Sequence, residues 1–231
     1  VQYRVGGGAW LAASPSDGAF NQLTEGYTFT TPILIDGSYT VQVRATDAAG
    51  NTTAEGNYAS DTFTIDTGAP TVLPITPLAP DPTSDNTPTL TGTVVDSPST
   101  WITGVQYRVD GGAWLAASPS DGAFDEATED YTFTTAALTD GVHTVQVRAS
   151  DAAGNTTAEL NYASDTFTVD TGAPAMLPIT PLAPDPTNDN TPTLSGTATD
   201  AFSPIAGVQY RVDGGAWLAA SPSDGAFNQL T

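Results

Sequence analysis

Carboxylates are the side chains in this sequence whose type and spacing could do chemistry. There are 26 Asp and Glu against five Arg, with no Lys, one His and no Cys, for a formal charge of −21. Eight oxygen-bearing side chains beside turns fall into two groups. The first is Asp66, Asp96, Asp151 and Asn155, and the second is Asp85, Asn86, Asp140 and Asp170. Calcium takes about six to eight oxygen ligands, several of them carboxylates, in a flexible shell. If Thr87 to Asp96 is the second strand of a two-sheet domain, Asp96 and the Asp151 turn end at the same pole. That pole faces the preceding domain, whose last strand delivers Asp66. Three carboxylates, the Asn155 amide and loop carbonyls then make a candidate calcium site at the joint. At the other pole, Asp85, Asn86 and Asp140 are expected to gather near Asp170. The competing account is turn chemistry alone, since Asp and Asn bond their own backbone in turns. An excess of acid without Lys also suits a protein from a high-salt environment.

Other chemistries find less support. Asp66-Thr-Gly68 and Asp170-Thr-Gly172 resemble the paired motif of aspartic proteases. That reaction needs two carboxylates sharing a proton at close range. Here they fall one per repeat, a whole domain apart, so a strand-end reading is preferred and no catalytic residue is assigned. His143 stands alone, without Cys or a companion His, and reads as an exposed strand residue beside the Asp140-Gly141 turn. A surface this acidic has almost no cations to displace phosphate counterions, which excludes nucleic acid as a partner. No apolar run approaches the about 20 residues needed to cross a bilayer, so no membrane insertion is expected in this segment. Trp10, Trp114 and Trp217 recur in register and are expected in the core, as a buried inter-sheet Trp is common in two-sheet β domains. Their exposure on a sheet face would instead indicate stacking on sugar rings. Trp101 has no counterpart Trp in the third copy and is expected to be exposed. Asn51-Thr-Thr53 and Asn155-Thr-Thr157 match the acceptor pattern for N-glycosylation.

The elements that must position these residues are repeated. Asp47-Ala-Ala-Gly-Asn-Thr-Thr53 and Asp66-Thr-Gly-Ala-Pro70 recur at Asp151 to Thr157 and Asp170 to Pro174, an offset of 104. Val1-Gln-Tyr-Arg-Val5 recurs at Val105 and Val208, so the chain reads as a tandem array, expected to begin and end inside a repeat. The expected divisions are a partial domain at 1–68, a complete one at 69–172 and a partial one at 173–231. Within the complete unit, Leu90 and Val94, Val105 to Val109, Tyr131 and Phe133, Val145 to Ala149, and Phe167 and Val169 alternate with polar residues, chiefly Thr. Period two with one wet face predicts half-buried antiparallel strands. Asp110-Gly-Gly112, Thr139-Asp-Gly141 and Ala153-Gly-Asn155 are expected to close hairpins. The fold class is therefore all-β, with tandem immunoglobulin-like β-sandwich domains of about seven antiparallel strands each, placed end to end. Between units, prolines at 70, 74, 77, 80 and 82 deny ladder hydrogen bonds, while Val72, Leu73, Ile75 and Leu78 need cover. That segment is expected to lie on its own domain as an edge strand, making a stiff joint.

At Thr187-Asn-Asp-Asn-Thr-Pro-Thr-Leu-Ser-Gly196, Asp140-Gly-Val-His-Thr-Val-Gln-Val-Arg-Ala-Ser-Asp151 and Ala152-Ala-Gly-Asn155, the sequence resembles the bacterial immunoglobulin-like repeats of giant surface adhesins. It departs from them in its proline-rich entry and long Trp-bearing loops. The resemblance implies a long extracellular stalk on the cell surface, often stiffened by calcium at its joints. The expected function is a structural rod or filament whose partners are neighbouring copies of the repeat, with any glycan or host target met through other domains. A carbohydrate-binding module is the alternative.

Overall fold

The structure, a computed structural model, describes residues 1–97, 100–223 and 225–227. The last residues of the expected third unit (224 and 228–231) lie outside the described residues. The first repeat contributes β1 (Gln2–Val5), β2 (Leu11–Ala12), β3 (Ser14–Pro15), β4 (Tyr27–Thr28), β5 (Gly37–Arg44) and β6 (Ala59–Ile65). They form a four-stranded sheet in the order β2-β1-β5-β6, with β3 and β4 paired separately. The middle repeat contributes β7 (Thr71–Val72), β8 (Thr89–Val95), β9 (Ile102–Val109), β10 (Leu115–Ala116), β11 (Ser118–Pro119), β12 (Thr128–Thr134), β13 (Gly141–Asp151) and β14 (Ala163–Val169). Two four-stranded antiparallel sheets result, β10-β9-β13-β14 and β11-β12-β8-β7. The third repeat shows two short pairs, β15 (Ala175–Met176) with β16 (Ala198–Thr199) and β17 (Gln209–Tyr210) with β18 (Leu218–Ala219).

Alternation sends one side of every long strand of the middle repeat into a single core between its two sheets. Leu90 and Val94 from β8, Val145 and Val147 from β13, and Phe167 from β14 are all buried there. Tyr107 of one sheet stacks on Phe133 of the other at 4.0 Å and 13°. The Tyr107 hydroxyl donates to the Thr134 carbonyl at 3.1 Å. Tyr131 is wholly buried opposite Gly92, whose missing Cβ leaves room for the tyrosine ring. This is aromatic cover of a strand glycine. The Asp110-Gly111 pair takes left-handed backbone (φ 50° and 70°), and Gly112 N–H closes the turn on the Val109 carbonyl at 2.9 Å. Both central residues with positive φ make the turn that matches strand twist.

The proline-rich entry lies on its own sandwich. β7 forms the edge of its sheet, and Leu73 and Thr76 N–H groups donate to Thr93 and Thr91 carbonyls. Thr83 joins the far side, giving its N–H to Thr168 and accepting from Asp170. Val72 and Ile75 are buried, whereas Leu73 faces solvent.

Three local expectations are corrected. Thr139-Asp-Gly141 does not close a hairpin, because β12 and β13 belong to different sheets and this turn carries the chain between them. His143 is buried, not exposed, because it keeps the inward phase of Val145, Val147 and Ala149 along β13. Its Nδ1 lies 2.7 Å from an Asp110 carboxylate oxygen and its Nε2 2.8 Å from the Thr139 carbonyl. Trp114 is absent from the core. It lies half-buried on the outer face of its sheet, edge-on to Tyr162 at 5.0 Å.

Candidate metal centre at a repeat joint

β8 ends at Val95 and hands the chain to Asp96. β13 ends at Asp151 after a register irregularity between Ser150 and Asp151. Such bulges re-aim strand ends. β6 of the preceding repeat ends at Ile65 and presents Asp66. One carboxylate oxygen from each of Asp66, Asp96 and Asp151 lies within 4.8 Å of the others. Asn155 joins them, its Nδ2 donating to the Asp66 carbonyl at 3.2 Å and to an Asp151 oxygen at 2.9 Å. That engagement also takes the amide away from the glycosylation pattern it matches.

Each member is held by neighbours. The Asn155 N–H closes the turn on the other Asp151 oxygen at 2.8 Å. The Asp47–Asn51 turn of the first repeat has the same bonds at the same lengths to within 0.1 Å. Turn chemistry is thus real for Asp151. It does not account for Asp96. The Thr157 hydroxyl, buried, donates to the Pro70 carbonyl at 2.9 Å and so ties the turn to the entry segment. Asp96 N–H donates to Ala127 O and Ile102 N–H to Glu126 O, both at 2.8 Å. The buried Glu129 carboxylate in turn accepts the Asp125 and Glu126 N–H groups at 2.7 Å each. Glu129 therefore shapes the loop on which Asp96 rests.

Electrostatically the cluster is unfinished. Asp96 is only 8 % exposed, and among the described residues its buried Oδ1 has no hydrogen-bond partner. The Thr100 hydroxyl touches both Asp66 Oδ2 and Asp96 Oδ2. A hydroxyl carries one proton, so it can donate to only one of them at a time. No Arg pairs with any of the three among the described residues. Buried charges are normally paired or bound to metal. The donors are all oxygen: carboxylates, the Asp66 carbonyl beside them and a hydroxyl. That set suits a hard divalent cation rather than a soft one.

The second group is placed differently. Asp85 Oδ1 accepts from Thr87 N–H and Oγ1, and Asp140 Oδ1 accepts from Thr171 N–H and Oγ1. Asn86 contributes its backbone carbonyl to Leu138. Among the described residues these acids form no group of three with Asp170. Asp170 instead approaches Asp200, whose carboxyl is held below its ordinary range by N–H bonds from Phe202 and Ser203. Asp170 and Asp200 are Asp66 and Asp96 moved on by 104 residues. The same half-set thus begins the next joint, a signal the repeat offset already contained. Thr100 and Glu129 carried no such signal.

Comparison with curated proteins gives no match. The profile of the bacterial Ig-like domain matches residues 11–67 and 80–171, more than half of the chain and two successive repeats. The sandwich topology agrees with that match, and the chain belongs to the bacterial Ig-like domain family.

Proposed function

We propose that this chain is a length of an extracellular, cell-surface rod built from end-to-end immunoglobulin-like repeats, with no catalytic role, whose joints are stiffened by calcium. The supporting observation is the convergence of Asp66 from one repeat on Asp96 and Asp151 of the next, with a buried Asp96 oxygen that has no hydrogen-bond partner among the described residues. Bacterial Ig-like domains typically occur in surface proteins, and no helix among the described residues is long and apolar enough to cross a membrane.

The work such a chain does is mechanical. The complete repeat carries its own core, and the joint restricts bending because three elements are bound at one point. Asp66, Asp96 and Asp151 would hold the ion, with the Asp66 carbonyl and Asn155 beside them. Calcium would supply the countercharge that lets the carboxylates stay together. The proline-rich entry, bonded along its own sandwich, removes the slack a free linker would leave.

The test is small-angle scattering of the chain with calcium and with a chelator. A longer, stiffer particle in calcium supports the reading. Identical curves would remove the metal from it, and a compact globule in both conditions would remove the rod.

A further inference from the structure

All five arginines of the chain stand against a tryptophan that recurs once per repeat. The guanidinium carbons of Arg4 and Arg44 lie 4.7 and 4.1 Å from the Trp10 ring centre. Those of Arg108 and Arg148 lie 4.7 and 4.3 Å from Trp114, and that of Arg211 lies 4.8 Å from Trp217. In the complete repeat the cluster sits on the outer face of β10-β9-β13-β14. Arg108 and Arg148 alternate there with the buried Tyr107 and Val147. The outward positions of β9, β13 and β14 include no Asp or Glu, although the chain as a whole carries −21.

These guanidinium groups are held but not neutralised. Arg108 Nε donates to Gln146 at 2.8 Å, and Arg148 Nε and Nη2 donate to Gln106 at 3.0 and 2.8 Å. Among the described residues no arginine has a carboxylate within 4.0 Å, since the one ion pair is His143 with Asp110. A guanidinium has five N–H donors, so most of Arg108's remain for a ligand. In an acidic protein, cations kept away from every carboxylate on a face of their own call for an anion from outside.

We propose that this face is a docking surface for an acidic polysaccharide, a chain of carboxylate-bearing sugar rings. The planar guanidinium fork matches a carboxylate with two parallel hydrogen bonds. Trp114 and Tyr162 offer aromatic surface of the kind on which a sugar ring's apolar face stacks. Gln106, Thr144 and Gln146 beside them exchange hydrogen bonds with hydroxyls. The site is an open sheet face rather than a cavity, which suits an extended polymer. Its recurrence in every repeat suits a repeating ligand, because weak contacts on one chain add through effective concentration. A duplex nucleic acid fits less well, because at about one charge per 1.7 Å it meets more repulsion from the protein than a polymer with one carboxylate per ring.

The experiment is calorimetric titration of the full chain with polygalacturonate, with dextran as the uncharged control, at low and high salt. Binding of polygalacturonate alone, weakened at least about tenfold by salt or by changing all five arginines to Gln, is the expected result. Thermal unfolding of that variant checks its fold. Should it fail to fold, the Arg108→Gln/Arg148→Gln pair is read by stoichiometry, which should fall by one of the two patches that carry an arginine pair. Equal binding of dextran, binding that the substitutions leave intact, or no binding at all would overturn the proposal. So would self-association of the chain, seen by sedimentation and lost on the same substitutions, since the face would then serve a second copy.

Discussion

Removing the negative charge of Asp96 should have opposite effects with and without calcium. Three carboxylate oxygens lie within 4.8 Å of one another. At an effective dielectric constant near 20, two unit charges at that distance repel by about 3.5 kcal/mol. Asp96→Asn removes two of the three pairs, so the ion-free joint should gain stability, while the calcium response should be lost. For the parent chain, calcium at a hundredfold excess over its Kd stabilises by about 2.7 kcal/mol. In a domain of this size 1 kcal/mol moves Tm by about 4–8 °C. Chelation should therefore lower the midpoint of the complete repeat by about 10–20 °C. Scanning calorimetry of parent and variant, each with calcium and with chelator, gives the four values needed. If chelation leaves the parent midpoint unchanged, or if Asp96→Asn lowers it equally in both conditions, the joint is not a cation site and Asp96 is simply a loop anchor.

Other perturbations follow from the same geometry. Burial disfavours the charged form of His143, but the Asp110 carboxylate and the Thr139 carbonyl outweigh it and raise its pKa above 6.5. The stabilisation is complete below pH 6.5 and is lost as pH rises through the raised folded value, so unfolding at neutral to alkaline pH should show a decline that His143→Tyr, the residue type of the first repeat, abolishes. A Cβ at Gly92 would sit 2.4 Å from the Tyr131 hydroxyl oxygen. Gly92→Ala should therefore cost about 1–3 kcal/mol, and a double-mutant cycle with Tyr131→Ala should recover part of it. Trp114→Ala should cost less than the about 3–5 kcal/mol typical of a core Trp, because it loses outer-face contacts. Acrylamide should quench Trp114 fluorescence in a variant that keeps it as the sole Trp, whereas a shielded emission would return it to the core.

The 104-residue offset, the period-two strands and the positive-φ turn at Asp110-Gly111 are local properties, and they were legible because each element carries its own signal. From strand order alone, Asp66, Asp96 and Asp151 could be assigned to one pole, since strand ends in a sandwich have only two poles to occupy. What the line of residues could not reveal was which loop folds over which face. Trp114 has the composition of a core residue, yet two arginines on the outer face offer its ring a cationic seat. His143 follows the buried phase of β13 because Asp110, far away in sequence, supplies the acceptor that makes burial tolerable. Thr100 matters through its contact with Asp66 of the preceding repeat, and Glu129 through the loop N–H groups just before it, and neither role shows in a periodic reading. Alternation decides inside from outside along one strand; the pairing of charges and rings between strands is decided only when the sheets close.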